Sequence, residues 1–448
     1  MTTPVTLPLW LFVLILAFAT VTFASHFLFP SVRWFFRRRL ERAVARLNRR
    51  LARPIQPFKL LRRQDMIQRL IYDPQVTQAI VDHARETGVR EDVAFQQARR
   101  YAREIVPSFS AMTYFGFATR AAKALSQALY RVRLGRYDEA ALKGVDRDAT
   151  VVFVMNHRSN MDYVLVTYLV GDHSALSYAV GEWAHVWPMS HLIRSMGAFF
   201  IRRKSRNALY RRVLARYVQM ATANGVTQAL FPEGGLSLDG ALAEPKLGLL
   251  KYLTDDLDLS DRDLIFIPVA LNYDRVLEDT VLIRAHKAGT RRFQARISKV
   301  LGAVLKQLWL RITRRFHRFG YAAVSFGTPL SLRAFPAGQA SPDLLAETLM
   351  ARIAEVVPVL PVPLVAHLLL HHGPMTVDAL RHRFVDTIAG LQDGHIHLPR
   401  GDAAYAAKVG LRALTERGIV QDSSETVQIA PGRRDLAEFY ANSIRHLL

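Results

Sequence analysis

Apolar patterning divides this chain before any single residue suggests chemistry. From Thr6 to Phe29 the run TLPLWLFVLILAFATVTFASHFLF carries no formal charge. At about 1.5 Å per residue, roughly twenty helical residues cross a hydrocarbon core of about 30 Å. The expectation is an N-terminal transmembrane helix within residues 1–32. Arg33, Arg37, Arg38, Arg39 and Arg42 follow at once, opposed only by Glu41. The positive-inside tendency then puts that flank in the cytoplasm and the N-terminus outside. A cleaved signal peptide would want basic residues ahead of the apolar run, and none stands there.

Residues 33–147 read as a helical lead-in. Leu40, Val44, Leu47 and Leu51 recur at helical spacing, as do Met66, Leu70 and Ile71, and later Phe115, Ala118, Ala122, Leu125 and Leu129, with a break at Pro107. No strand-like alternation is expected there. The pattern changes at TVVFVMN (Thr150 to Asn156), a β-branched run of the kind buried on both faces of a sheet. An apolar helix (Tyr163 to Val170), GAFFIRR, a basic helix (Asn207 to Ala223), VTQALFPEGG and LIFIPVALNY come next. Strand and helix alternating in this way predict an α/β domain over 148–342, with functional groups at strand C-termini. From 343 to 448 the chain turns helical again behind Pro358, Pro361 and Pro363, a C-terminal helical module.

Charge narrows the choice of partner. The formal net charge is +22, which calls for an anionic partner: nucleic acid, lipid surface or phosphate. The basic residues are clustered. One tract runs from Arg33 to Arg63, and no acidic residue occurs from Thr280 to Pro342. A basic amphipathic tract directly beside an apolar anchor favours anionic membrane lipids, and no nucleic acid is expected. The chain has no cysteine, which excludes disulfides, thiolate catalysis and Cys-based zinc sites.

His157 and Asp162 lie just past the first core strand, in NHRSNMDY. A helix start folding back over the strand end can bring the carboxylate to one imidazole nitrogen, leaving the other to take a proton. The spacing alone is weak evidence, because His397 and Asp402 repeat it in a proline-containing loop. A polar cap at a strand end explains His157 equally well on its own. Arg202 and Arg203 close GAFFIRR and suit bidentate phosphate binding. FPEGGLS offers a glycine turn and Glu233 as a hydroxyl acceptor, and FIPVALNY is a strand bent at Pro268. Each also reads as ordinary structure: a basic helix start, a β-turn, a core strand.

Together HRSNMDY, GAFFIRR, FPEGG and IPVALNY resemble, in order and separation, the four motif blocks of the glycerolipid acyltransferases. The resemblance is strongest to bacterial membrane-bound glycerol-3-phosphate acyltransferases and dihydroxyacetone-phosphate acyltransferases, and extends to PVPLVAHLLL (Pro361 to Leu370) and FYANSIRHLL (Phe439 to Leu448). It implies a mixed, mostly parallel sheet flanked by helices. His157 would be the general base and Asp162 its orienting partner, with acyl-CoA or acyl carrier protein as co-substrate and no cofactor or metal. Arg158, Ser159, Arg202, Arg203, Glu233, Gly234, Gly235 and Lys246 would bind the phosphorylated glycerol acceptor, and Pro268 would border the donor channel. The implied setting is the cytoplasmic face of a bacterial inner membrane.

One departure bears on the acceptor. Where the family's third block normally carries an arginine this chain has Leu236, and Leu238 replaces another. Losing a charge-assisted contact to phosphate costs roughly 1.5–3 kcal/mol, unless Arg202, Arg203 or Lys246 compensates. The alternatives are therefore the same chemistry on a lysophospholipid, dihydroxyacetone phosphate or another alcohol, or a non-catalytic lipid-binding protein.

Overall fold

The computed structural model describes residues 8–171, 173–181, 189–202, 205, 207–289, 319–335, 341–391, 398–423 and 425–448, without the side chains of 23–37 and 40. It divides into two compact units, Met1–Ile55 and Gln56–Leu448. The first contains a 40-residue helix, Leu9–Asn48. Leu9, Trp10, Phe12, Leu14, Phe18 and Val21 on it are all more than half exposed. Among the described residues no helix is long and apolar enough to cross a membrane. The expected single span is thus not supported: part of the Thr6 to Phe29 run lies outside the described residues, and the helix continues from it into the charged Arg-rich stretch.

In the second unit the lead-in forms the helices Arg63–Ile71, Pro74–Thr87 and Glu91–Ile105. The last stops two residues short of Pro107, as the steric restriction before proline requires. The lead-in is not wholly helical. RVRLGRY forms strand β1 (Arg131–Tyr137), an edge strand parallel to β7 (Tyr321–Phe326). Basic side chains on an exposed edge suit it against pairing with other chains, and they hid its apolar positions Val132 and Leu134.

The remaining strands are β2 (Thr150–Met155), β3 (Ser177–Gly181), β4 (Phe199–Ile201), β5 (Gln228–Leu230), β6 (Leu264–Tyr273) and the short β8 (Leu330–Ser331). The sheet order is β1-β7-β6-β2-β5-β3-β4, with β8 also pairing β6. β6, β2, β5, β3 and β4 run parallel, while β7 and β8 are antiparallel to β6. This is the mixed, mostly parallel α/β sheet expected. β2 and β6 are buried at every position, which is why both read as continuous apolar runs.

Pro268 sits in β6 opposite Val154, where the other neighbour of β6 changes from β8 to β7. A residue without an N–H is tolerated at such a break. The basic helix is Ala208–Ala223, capped by the Asn207 side chain on the Tyr210 N–H. The C-terminal residues give the helices Pro342–Glu355, Pro361–His372, Val377–Gly390, Ala403–Glu416 and Arg434–Ala441. They are not exclusively helical: β9 (Val420–Ser423) and β10 (Thr426–Ile429) form an antiparallel hairpin. Much of the basic Thr280 to Pro342 tract lies outside the described residues.

Candidate active site

Because β2, β5 and β6 are adjacent and parallel, their C-terminal loops converge at one edge of the sheet. The β2 loop is pinned first. Asn156 donates through Nδ2 to the Leu271 carbonyl at 3.0 Å and accepts from the Leu271 N–H at 2.7 Å. His157 follows, 2 % exposed, and the helix Met161–Val170 starts four residues on. Its first turn carries Asp162, whose Oδ2 lies 2.9 Å from His157 Nδ1.

The same Oδ2 accepts the backbone N–H groups of Arg158 and Ser159 at 2.7 and 3.0 Å, and Oδ1 accepts the Tyr273 hydroxyl at 2.6 Å. All these partners donate, so Nδ1 carries a hydrogen, and in the neutral ring the lone pair falls on Nε2. The ring stacks on Phe231 at 3.9 Å between centroids and meets the edge of Tyr163 at 5.5 Å. Position and tautomer are therefore both set before any substrate arrives. The second His-x4-Asp pair has no such setting: His397 lies outside the described residues, and Asp402 caps the helix Ala403–Glu416.

Glu233 does something other than the expected acceptor contact. Its Oε1 accepts the His157 N–H at 2.9 Å and its Oε2 the Ala243 N–H at 3.3 Å, and the residue is 1 % exposed. It braces the histidine from behind. Burial pushes its carboxyl up to about 7, against opposing pulls from Arg158 and those two N–H groups. Gly234 turns the chain at φ +67°, and a Cβ there would lie 2.7 Å from Lys246 Cδ. The exposed Lys246 lays its stem across that glycine, and its N–H donates to the Pro232 carbonyl. Gly235 follows, partly buried.

The expected phosphate cluster is not assembled among the described residues. Arg202 ends β4, at the far edge of the sheet from β2, and clasps Glu104 with Nε at 2.8 Å and Nη2 at 2.5 Å. Arg203 lies outside the described residues. Leu236 and Leu238 pack against the main core. The Arg158 guanidinium is 2 % exposed and donates to the Ser443 carbonyl at 3.2 Å. Ser159 Oγ donates to Glu278 Oε2 at 2.8 Å, and Pro268 is buried in mid-strand.

The sequence does not single out Tyr273, Glu278, Asn156 or Phe231. Tyr273, Asn156 and Phe231 lie inside the motif segments NHRSNMDY, FPEGGLS and FIPVALNY, and that placement is their signal. Glu278, which also accepts from the Asn160 N–H and amide, carried none.

Two buried carboxyls give the fold a pH dependence. Asp274, which accepts from the N–H groups of Tyr321 and Val362, is pushed up to about 7 by burial, alongside Glu233. Both pKa values are raised on folding, so the folded state binds more protons and stability falls as pH rises from about 4 to about 7. Urea midpoints measured from pH 5 to 8 should decline, and more steeply in the parent than in Asp274→Asn. Parallel curves would contradict the assignment.

Residues 139–272 match the Acyltransferase family model, and residues 306–448 match the model of the glycerol-3-phosphate acyltransferase C-terminal region. The matches place acyltransferase-type sequence over the α/β core and the C-terminal region of this chain. The first match takes in β2 through nearly all of β6, and with them His157, Asp162 and Glu233.

A glycerol-3-phosphate acyltransferase of Pseudomonas putida is 28% identical over 419 residues, covering 86% of this chain and 49% of the relative. Proteins of that name from Pseudomonas fluorescens (31% over 279 residues) and Aeromonas hydrophila (30% over 284 residues) each cover 61% of this chain, and 32% and 33% of themselves. The chain thus spans about half the length of its curated relatives, or less.

Proposed function

We propose that this chain transfers an acyl group from a thioester, acyl-CoA or acyl carrier protein, to a hydroxyl of glycerol 3-phosphate, giving 1-acylglycerol 3-phosphate. The observation that carries the reading is the buried His157–Asp162 pair, with Nδ1 committed to the carboxylate at 2.9 Å and Nε2 left as a base. His157 takes the acceptor's proton as its oxygen attacks the thioester carbonyl. The tetrahedral intermediate collapses, the C–S bond breaks, and the imidazolium returns the proton to the departing thiolate. Asp162 stabilises the imidazolium in between. The names of the relatives support glycerol 3-phosphate as acceptor.

The packing of Leu236 and Leu238 against the core favours a second reading, in which the same chemistry serves dihydroxyacetone phosphate, a lysophospholipid or an unphosphorylated alcohol. We place the chain at a membrane through the exposed apolar positions between Leu9 and Val21, since so much apolar surface is costly in water. The basic residues after them would face anionic headgroups.

The test is one experiment. The chain is mixed with anionic liposomes, floated on a density gradient, and supplied with labelled palmitoyl-CoA and a panel of those acceptors. Flotation with acylglycerol phosphate as main product is expected. A preference for an unphosphorylated alcohol would sink the phosphate readings, and protein left at the bottom of the gradient would sink the membrane placement.

A further inference from the structure

The last turn of the helix Arg434–Ala441 and the two residues beyond it touch all three loops that build the site. Starting with the β5 loop, the Phe439 carbonyl lies so close to Gly240 that a Cβ there would come within 1.8 Å of it, and Gly240 has φ +86°. Only glycine admits this approach. Asn442 Nδ2 donates to the Asp239 carbonyl at 3.0 Å, fastening the same loop. On the β6 loop, the Tyr440 hydroxyl donates to Asp279 Oδ2 at 2.6 Å and accepts from the Val276 N–H at 3.2 Å and from Arg417 at 2.7 Å. Ser443 Oγ accepts from Asn272 Nδ2 at 3.1 Å, and the second bond of that amide goes to the Pro358 carbonyl. On the β2 loop, the Ser443 carbonyl accepts Arg158 Nη2 at 3.2 Å.

That last contact reaches the proposed base in two steps. Arg158 is the residue whose backbone N–H holds Asp162 Oδ2 at 2.7 Å, and Asp162 in turn holds His157. Its guanidinium is buried, and Nε and Nη1 have no hydrogen-bond partner among the described residues. Burial lowers its pKa, and the nearby charges of Glu233, Asp162 and Asp239 oppose that. A buried cation with so few bonds depends on each one, so a shift of Ser443 is passed to Arg158 and onward to the carboxylate.

We infer that Phe439–Ser443 is a positioning clamp: it sets the three strand-end loops against one another and so fixes the His157–Asp162 geometry. The inference rests on the acyl-transfer reading for its kinetic consequence and on the contacts alone for its mechanical one. The five residues are positioning residues, since none touches the imidazole. They also give the C-terminal helices a part in the reaction, where a separate appendage would have none.

The test uses the full chain with Tyr440→Phe and Asn442→Ala, singly and together. Displacements well under 1 Å at a reacting pair already slow chemistry, so kcat in the double variant should fall about tenfold or more. KM for acceptor and donor should stay within about twofold, because uniform binding is untouched. The acid limb of the rate profile should move, because the hold of Asp162 on the imidazole has changed. Amide hydrogen exchange over residues 156–162 and 237–241 should rise while β2 stays protected, and the melting temperature should fall only by a few degrees, because the Val276 N–H and Asp279 lose a partner while the core is untouched. A loss of activity that merely follows the unfolded fraction, or unchanged exchange in those loops, overturns the clamp. Exchange needs no substrate. A parent chain that acylates nothing, with loops that still loosen in the variants, would sink the acyl-transfer reading and leave the mechanical clamp standing.

Discussion

His157→Ala is expected to lower kcat for acyl transfer by about 10²–10⁴-fold, the range that a positioned general base contributes. KM for either substrate should change little, because the imidazole serves the transition state more than ground-state binding. The fold should survive. Asp162 would lose one donor of four, keeping the Arg158 and Ser159 N–H groups and the Tyr273 hydroxyl. The space left lies between the rings of Phe231 and Tyr163 and carries the ordinary cost of a small buried cavity. Steady-state kinetics with a melting curve of the same sample checks this. A His157→Ala enzyme with at least a third of the parent kcat would remove the histidine from the chemistry.

Asp162→Asn separates two things a carboxylate can do for a histidine. In a triad-like site an amide can impose the wrong tautomer, at a cost on the order of 10⁴-fold. Here the geometry forbids that. The Oδ2 position faces three donors, two of them fixed backbone N–H groups, so the Asn oxygen must occupy it. The amide nitrogen then faces the Tyr273 hydroxyl, which can accept as well as donate. The Nδ1–H tautomer is preserved, and only the negative charge opposite the imidazolium is lost.

A charge-assisted bond of roughly 1.5–3 kcal/mol corresponds to a loss of about 10–100-fold in kcat. Asp162→Ala should do worse, since it also strands two buried N–H groups at roughly 1–3 kcal/mol each and loosens the loop. Equal kinetics for Asn and Ala at this position would refute the separation.

The four motif segments and the strand before His157 were legible because they are local. β2 and β6 announce themselves as apolar runs, since both faces of each are buried. Strand C-termini could be named as the site because parallel connections leave loops there. The helix after Asn207 and the break before Pro107 were readable from capping and proline sterics. β1 is not legible because an edge strand needs only one apolar face and this one is studded with arginines.

What the sequence by itself determined is therefore an α/β domain resembling the acyltransferases, with His157 and Asp162 at a strand end. Only the tertiary structure decided which groups each residue meets. Glu233 reads as a hydroxyl acceptor in the sequence, and folding gives its Oε1 to the backbone N–H of His157, 76 residues away. Arg202 reads as a phosphate ligand in the sequence, and Glu104, 98 residues away, takes its guanidinium. Tyr273 meets Asp162 across 111 residues, and Ser443 meets Arg158 across 285. The physical reason is one of range. Periodicity and capping are paid within a few residues and leave a trace in local order, whereas a buried polar group must be satisfied by whichever donor or acceptor the packed chain brings beside it.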